Sequence, residues 1–194
     1  MSRDKILANV AQNQPAYTPL PDMDVFLHTA GSHEKFAEVL TSIGGKAQYV
    51  NSYAEIAASL KDDLIASGRI ITTIAELKSF FKEDGINNSD ALDLHNVELA
   101  IIEGEFGVAE NGAVWITEEK MGQRVLPFIC QHLAVIIHAS TILPTMHEAY
   151  VHINKSIYGF GIFIAGPSKT ADIEQSLVIG AHGPKSMRVF LINN

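Results

Sequence analysis

The hydrophobic residues of this chain fall into short runs that alternate between helical and extended spacing. Apolar residues three or four positions apart indicate the buried face of a helix, whereas compact runs of β-branched and aromatic residues indicate strands. Helical spacing, together with Ser or Thr caps and Gly stops, predicts helices over residues 2–12, 32–43, 52–66, 75–81, 145–154 and 170–179. Extended runs predict strands over residues 47–50, 69–73, 97–102, 106–108, 113–117, 133–137, 160–165 and 187–192.

This alternation predicts an α/β fold. Because strands and helices follow one another over nearly the whole chain, we expect a mostly parallel, helix-covered sheet. The Asn111-Gly112 pair suits a tight turn with positive φ, so we expect an antiparallel β-hairpin insertion around it. Three prolines in residues 14–21 indicate an extended arm after the first helix. We therefore divide the chain into an N-terminal helical arm, residues 1–21, and a single α/β domain, residues 22–194.

Composition narrows the function classes. The chain has 194 residues, a formal net charge of −8 and one cysteine, Cys130. A lone thiol cannot hold an iron-sulfur cluster, and we predict no metal or cofactor bound by this chain. An acidic chain without Lys or Arg clusters is a poor nucleic-acid binder. The absence of a long apolar run predicts no membrane span, and the polar N-terminus shows no secretory signal, so we expect a cytoplasmic protein.

Charge is unevenly distributed along the chain. From Arg124 onward, five Lys and Arg residues stand against three Asp and Glu residues, and five of the eight histidines lie in the same stretch. Such a region is more favourable to a small anion than the acidic first half. We therefore look for ligand chemistry in the second half of the chain.

A turn beginning at Gly166 is the main candidate for anion binding. It is predicted to connect a strand to a helix, where free backbone N–H groups and the positive helix end favour an anion. Capping of that helix by Ser168 or Thr170 is the competing interpretation. The candidate substrate-binding or anion-binding residues are Gly166, Pro167, Ser168, Lys169, Thr170, Asp172, Glu174 and Gly183.

Two side chains are candidate catalytic groups. Glu110 lies at a turn between apolar segments and could act as a general base or a nucleophile if that turn faces a pocket. His182 lies in a tightly turning loop and could exchange a proton near neutral pH. An exposed hairpin glutamate and an exposed loop histidine are the structural alternatives for these two positions.

Two other patterns fail as sites. His147 and His152 are five positions apart, which places them about 140° apart around a helix, so they do not form a zinc pair. Cys130 and His132 are close in sequence, but their apolar surroundings favour a structural role over thiol catalysis.

The ordered set of motifs resembles the LUD domain family, and within it the lactate utilization protein C branch. The segments that carry the resemblance are residues 107–113, 132–136, 142–149, 166–174 and 180–184. The resemblance implies a fold similar to the NagB/RpiA/CoA-transferase group. It also implies a place in a cytoplasmic system that oxidises L-lactate to pyruvate with iron-sulfur partner proteins of the LutA and LutB type.

The leading hypothesis is the cluster-free component of such a lactate-oxidising system, with a small carboxylate or phosphate ligand at the turn after Gly166. Iron-sulfur clusters are then expected only in the partner proteins. One alternative is an independent acyl-transferase, CoA-transferase or ligase enzyme that uses Glu110, because residues 109–112 resemble the Glu-Asn-Gly element of certain CoA transferases. Another is a ligand-sensing module. The sequence leaves the oligomeric state open, with a homo-oligomer allowed.

Overall fold

A computed structural model describes residues 2–19, 21–22, 31–64, 68–81, 91–154, 157–171 and 177–193. The helices are α1 (Arg3–Gln12), α2 (His33–Ser42), α3 (Tyr53–Leu64), α4 (Glu118–Met121), α5 (Leu126–Ile129) and α6 (Met146–Ile153). The strands are β1 (Lys46–Val50), β2 (Arg69–Thr72), β3 (Val97–Glu103), β4 (Phe106–Val108), β5 (Ala113–Thr117), β6 (His132–His138), β7 (Ile142–Leu143), β8 (Gly161–Ile164), β9 (Lys169–Ala171), β10 (Leu177–Ile179) and β11 (Ser186–Ile192).

Five parallel strands form the central sheet, in the order β1-β11-β6-β3-β2. Its middle strands β6 and β11 are buried along almost their whole length. A strand covered on both faces has no solvent side, which is why both segments are nearly continuous apolar runs. The α/β class expected from the sequence is confirmed.

The two faces of the central sheet are covered differently. On one face, Ile56 and Leu60 of α3 pack against side chains such as Ile101 and Phe190, all fully buried. The other face packs against α2, α4 and α5 and against part of a second sheet. The sheet is therefore covered by helix on one side and by helix and sheet on the other.

The second sheet has four strands in the order β7-β4-β5-β8. Its β4–β5 hairpin is antiparallel, as expected, and the other face of this sheet carries α6. The chain passes from the central sheet to this one at Gly104, where an added Cβ would lie 2.4 Å from Val114 Cγ1 and 2.8 Å from Ile137 Cγ2. Only glycine fits there because side chains of both sheets converge on it.

Three expectations about individual elements need correction. The helix expected over residues 170–179 is wrong, because Lys169–Ala171 and Leu177–Ile179 are antiparallel strands. The β-prone residues Leu177–Ile179 pair with Lys169–Ala171 instead of continuing a helix. The helix expected over 75–81 shortens to a 3-10 turn, Ala75–Leu77. The strand over 160–165, whose apolar run predicts a buried strand, exists as β8 but is only half-buried because it is an edge strand of the second sheet.

The N-terminal segment carries little of the core. No residue of α1 is buried, and residues 14–19 and 21–22 have no regular secondary structure. None of the helices within the described ranges has the length and hydrophobicity that a bilayer crossing requires.

Candidate functional site

The turn that begins at Gly166 lies beside the loop that carries His182, and together they line an open cleft of about 270 Å³. We call this the turn cleft. Its other walls are β8 and α5. The cleft is lined by Pro127, Phe128, residues 162–165, Gly166, Pro167, Ser168, Lys169, His182, Gly183 and Pro184. Six of the residues predicted from the sequence therefore meet at one place.

Backbone hydrogen bonds hold the two segments of the turn cleft together. The Ser168 N–H donates to the Pro184 carbonyl at 2.9 Å, and the Gly180 N–H donates to the Ser168 carbonyl at 3.0 Å. A Cβ on Gly183 would lie 3.0 Å from the Ser168 Cβ, so glycine allows this close approach. The positions of Ser168 and His182 relative to each other are thus fixed by main-chain contacts.

Gly166 is a position that requires glycine. Its φ is +72°, and an added Cβ would lie 3.1 Å from the Ile43 carbonyl oxygen at the end of α2. Any other residue would be destabilised by the left-handed conformation and by this close contact. The turn cleft is therefore anchored on the C-terminal end of α2.

Lys169 provides the positive charge of the turn cleft. Its side chain is exposed, and its Nζ lies near Gly44, just past the end of α2, where a Cβ on Gly44 would be 3.4 Å away. A cation at a helix C-terminus is favourable, so this position also stabilises α2. No carboxylate is among the described residues that line the cleft.

The turn cleft presents side-chain donors rather than a helix end. Among the described residues, the Ser168 hydroxyl, the Lys169 ammonium and the His182 imidazole form no hydrogen bond or ion pair with one another or with other side chains. Thr170 lies in β9 and does not line the cleft. Asp172 and Glu174 lie outside the described residues.

Glu110 lies elsewhere. Its carboxylate Oε2 accepts a hydrogen bond from the Met146 N–H at 2.8 Å, at the first turn of α6, where Thr145 also caps the helix. Gly112, with φ +69°, completes the hairpin turn, as its sequence predicts. Glu110 is exposed and does not line the turn cleft. The geometry gives this carboxylate a capping role.

A second cavity, of about 300 Å³, was not predicted from the sequence. We call it the aromatic cavity. Phe106 and Trp115 form its buried floor, and they are directly opposite each other in the β4–β5 ladder. It is lined by Glu105, Phe106, Trp115, Thr117, Glu118, Glu119, His152, Ile153, Ile157, Tyr158 and Gly159. From the hairpin register set by the Asn111-Gly112 turn, the pairing of these two rings could have been predicted. The sequence does not show that α6 and residues 157–159 lie over them.

The sequence pattern of the LUD domain matches residues 87–192, more than half of the chain. The chain belongs to the LUD domain family. Both cavities and Glu110 lie inside the matched residues.

The LUD region also resembles curated proteins. It is 32% identical over 116 residues to lactate utilization protein C of Geobacillus kaustophilus, covering 57% of this chain and 48% of that protein. It is 31% identical over 119 residues to lactate utilization protein C of Bacillus pumilus, covering 55% and 50%. The matched part of the chain thus spans about half the length of the curated relatives it matches.

A solved structure supports the architecture. The crystal structure of a DUF162 family protein from Deinococcus radiodurans aligns with a TM-score of 0.62 and 14% sequence identity, covering 90% of this chain and 99% of that one. At this identity the likeness concerns the fold alone.

Cys130 and His132, which also lie in the LUD domain, make structural contacts. Cys130 is buried, and burial raises the pKa of its thiol to about 12, so it is a poor nucleophile at neutral pH. His132 lies at the amino end of β6, with Nδ1 2.7 Å from the Ser186 hydroxyl and Nε2 3.5 Å from Glu98. Within the described part of the chain, no three side chains are grouped to hold a metal ion.

Proposed function

We propose that this LUD domain protein is the cluster-free component of a system that oxidises L-lactate to pyruvate, and that its turn cleft binds the carboxylate or phosphate of a small ligand. The relatives named lactate utilization protein C support the choice of system. The single observation that carries the ligand proposal is the convergence of Ser168, Lys169 and His182 on one cleft without a carboxylate among its described lining residues.

The chemistry of the three side chains suits a small oxyanion. Lys169 supplies charge, Ser168 supplies a hydroxyl donor, and a protonated His182 supplies a second cation. Hydrogen bonds that involve a charged partner are stronger than neutral ones, so a carboxylate or phosphate gains more in this cleft than an alcohol does. His182 could also exchange a proton with the ligand, which is the catalytic role that the sequence suggested for it.

The oxidation itself needs partners. Converting lactate to pyruvate removes two electrons and two protons, and one buried thiol cannot ligate an iron-sulfur cluster. In this proposal the electrons pass through iron-sulfur proteins of the LutA and LutB type, and this chain contributes ligand binding or assembly.

Purification of a tagged chain from its native host tests the assignment to the system. We expect cysteine-rich iron-sulfur proteins to copurify in fixed stoichiometry and the assembly to reduce an electron acceptor in the presence of L-lactate. A chain that is reproducibly isolated alone, or a complex that shows no lactate-dependent reduction, would count against the proposal.

Acyl transfer through Glu110 is the competing enzyme hypothesis, and its Met146 contact favours a helix cap instead. Two variants separate these roles. Glu110→Gln keeps an oxygen acceptor but loses the nucleophile, whereas Glu110→Ala loses both. For a cap, we expect Gln to retain stability and Ala to lose about 0.5–2 kcal/mol in denaturant unfolding. An acyl adduct trapped on Glu110, and lost in Glu110→Gln, would establish the enzyme instead.

A further inference from the structure

The aromatic cavity has a floor and a rim of different chemistry. Phe106, Trp115 and Ile153 are nearly fully buried and form the apolar floor. Trp115 contacts Tyr158 edge to face, with ring centroids 5.3 Å apart. Ile157 and Tyr158 are exposed beside the opening. A cavity with this floor and this opening accommodates the hydrocarbon part of a small ligand.

The wall of the cavity that carries Tyr158 is held in place. The Glu118 N–H donates to the Phe160 carbonyl at 2.8 Å, and the Phe160 N–H donates to the Glu118 carboxylate at 3.1 Å. The other carboxylate oxygen of Glu118 pairs with Arg124, so its charge is compensated. A Cβ on Gly159 would lie 2.0 Å from Glu118 Oε1, so a side chain at this position would displace the Glu118 carboxylate. These contacts fix the chain next to Tyr158 at one side of the cavity.

The rim carries a net negative charge. Glu105 and Glu119 are exposed at the opening. Glu105 accepts a hydrogen bond from the Thr117 hydroxyl at 3.2 Å, which leaves its charge in place. The nearby cation Lys120 is 2.5 Å from Glu103, and this hydrogen bond is the main reason that its pKa is raised. The charges of Glu105 and Glu119 also raise the Lys120 pKa, so Lys120 offsets part of the rim charge although it does not line the cavity.

We propose that the aromatic cavity binds an organic ammonium cation, with its alkyl groups against Phe106, Trp115 and Tyr158 and its charge toward Glu105 and Glu119. Aromatic faces attract ammonium ions through the quadrupole of the ring, and carboxylates add direct charge attraction. An inorganic cation would gain nothing from the apolar floor, and a neutral apolar ligand would gain nothing from the rim. The combination therefore selects an alkylated ammonium.

Trp115 is the only tryptophan of the chain, so its fluorescence reports on this cavity directly. We would titrate the protein with choline and, in parallel, with 3,3-dimethylbutan-1-ol, which has the same shape but no charge, at constant ionic strength. We expect a saturable change in Trp115 emission with choline, and we expect the alcohol to bind at least about tenfold more weakly. Equal affinities, or no saturable change with choline, would overturn the proposal.

Variants locate the signal. Glu105→Gln combined with Glu119→Gln removes the rim charge from two exposed positions and should weaken choline binding about tenfold, while Glu38→Gln, an exposed glutamate on α2, should leave it unchanged. Equal weakening by Glu38→Gln would show a general charge effect and overturn the site. Because the turn cleft is separate, choline binding should persist in the Ser168→Ala, Lys169→Ala double variant, whether or not the proposed function holds.

Discussion

The turn cleft and the aromatic cavity both adjoin the edge strand β8 and have opposite chemistry. Gly159, just before β8, lines the aromatic cavity, whereas Gly166, just after it, lines the turn cleft. The first is acidic and walled by rings, and the second has a lysine and a histidine and no acid among its described lining residues. One strand therefore connects the two proposed ligand sites, which differ in charge preference.

The two cavities also differ in how they are built. Trp115 and Phe106 are buried at 7% and 3% exposure and belong to the core between the second sheet and α6. Lys169, at the start of β9, and His182, in a loop, are both exposed. Changes in the floor of the aromatic cavity should therefore affect folding and binding together, whereas truncation of the exposed Lys169 or His182 side chain should affect binding far more than folding.

Trp115→Ala is expected to have the largest effect. Removing this buried ring also removes its packing against Gly161 and Phe163, so the free energy of unfolding should fall by about 3–5 kcal/mol. Urea unfolding followed by circular dichroism measures this change. The matched change in the turn cleft, Lys169→Ala, should stay within about 0.5 kcal/mol. Similar losses for both would contradict the distinction.

Gly166→Ala should have a smaller but clear effect, and Gly44→Ala provides its control. Both glycines have positive φ, +72° and +89°, but a Cβ on Gly166 lies 3.1 Å from the Ile43 carbonyl, whereas one on Gly44 has only ordinary contacts from 3.4 Å. We expect a loss of about 1–2 kcal/mol at Gly44 from the backbone alone and a larger loss at Gly166. Equal losses would show that the Ile43 contact is not important.

The turn cleft could be found from the sequence because its signals are local. Glycine, proline and small polar residues mark the two turns, and the charge count indicates the same half of the chain. Local signals do not show whether the segment after the turn at Gly166 is a helix or a strand. Ser168 and Thr170 suit a helix start as well as a turn, and the pairing of Lys169–Ala171 with Leu177–Ile179 decided in favour of strands.

The second sheet and the aromatic cavity depend on contacts between distant segments. The strand at residues 97–102 and the hairpin were both predicted, but the separation at Gly104 into two sheets depends on Val114 and Ile137 meeting there in space. The cavity likewise needs α6 and residues 157–159 to cover the hairpin. A one-dimensional pattern identifies such elements but not which surfaces they share.

The smallest effect is expected at Cys130, whose thiol should remain unreactive toward alkylation in the native state. Burial disfavours the thiolate and raises the pKa to about 12, compared with about 8.5 for an exposed thiol. Alkylation by iodoacetamide should stay slow as the pH rises from about 8 to about 10 and become fast only on unfolding. By linkage, this group lowers stability as the pH rises above about 8.5. Rapid stoichiometric labelling of the folded protein would contradict the assignment.

Calorimetric titration with L-lactate tests most directly whether the turn cleft binds a small carboxylate. The native protein should show saturable heat of binding. The Ser168→Ala, Lys169→Ala double variant should bind lactate at least about tenfold more weakly, because it loses hydrogen bonds to a charged ligand. Lys35→Ala, which removes an exposed lysine from α2, should bind as the native protein does. Equal lactate affinity in the native protein and the double variant, or no lactate binding and no phosphate binding at all, would contradict the account.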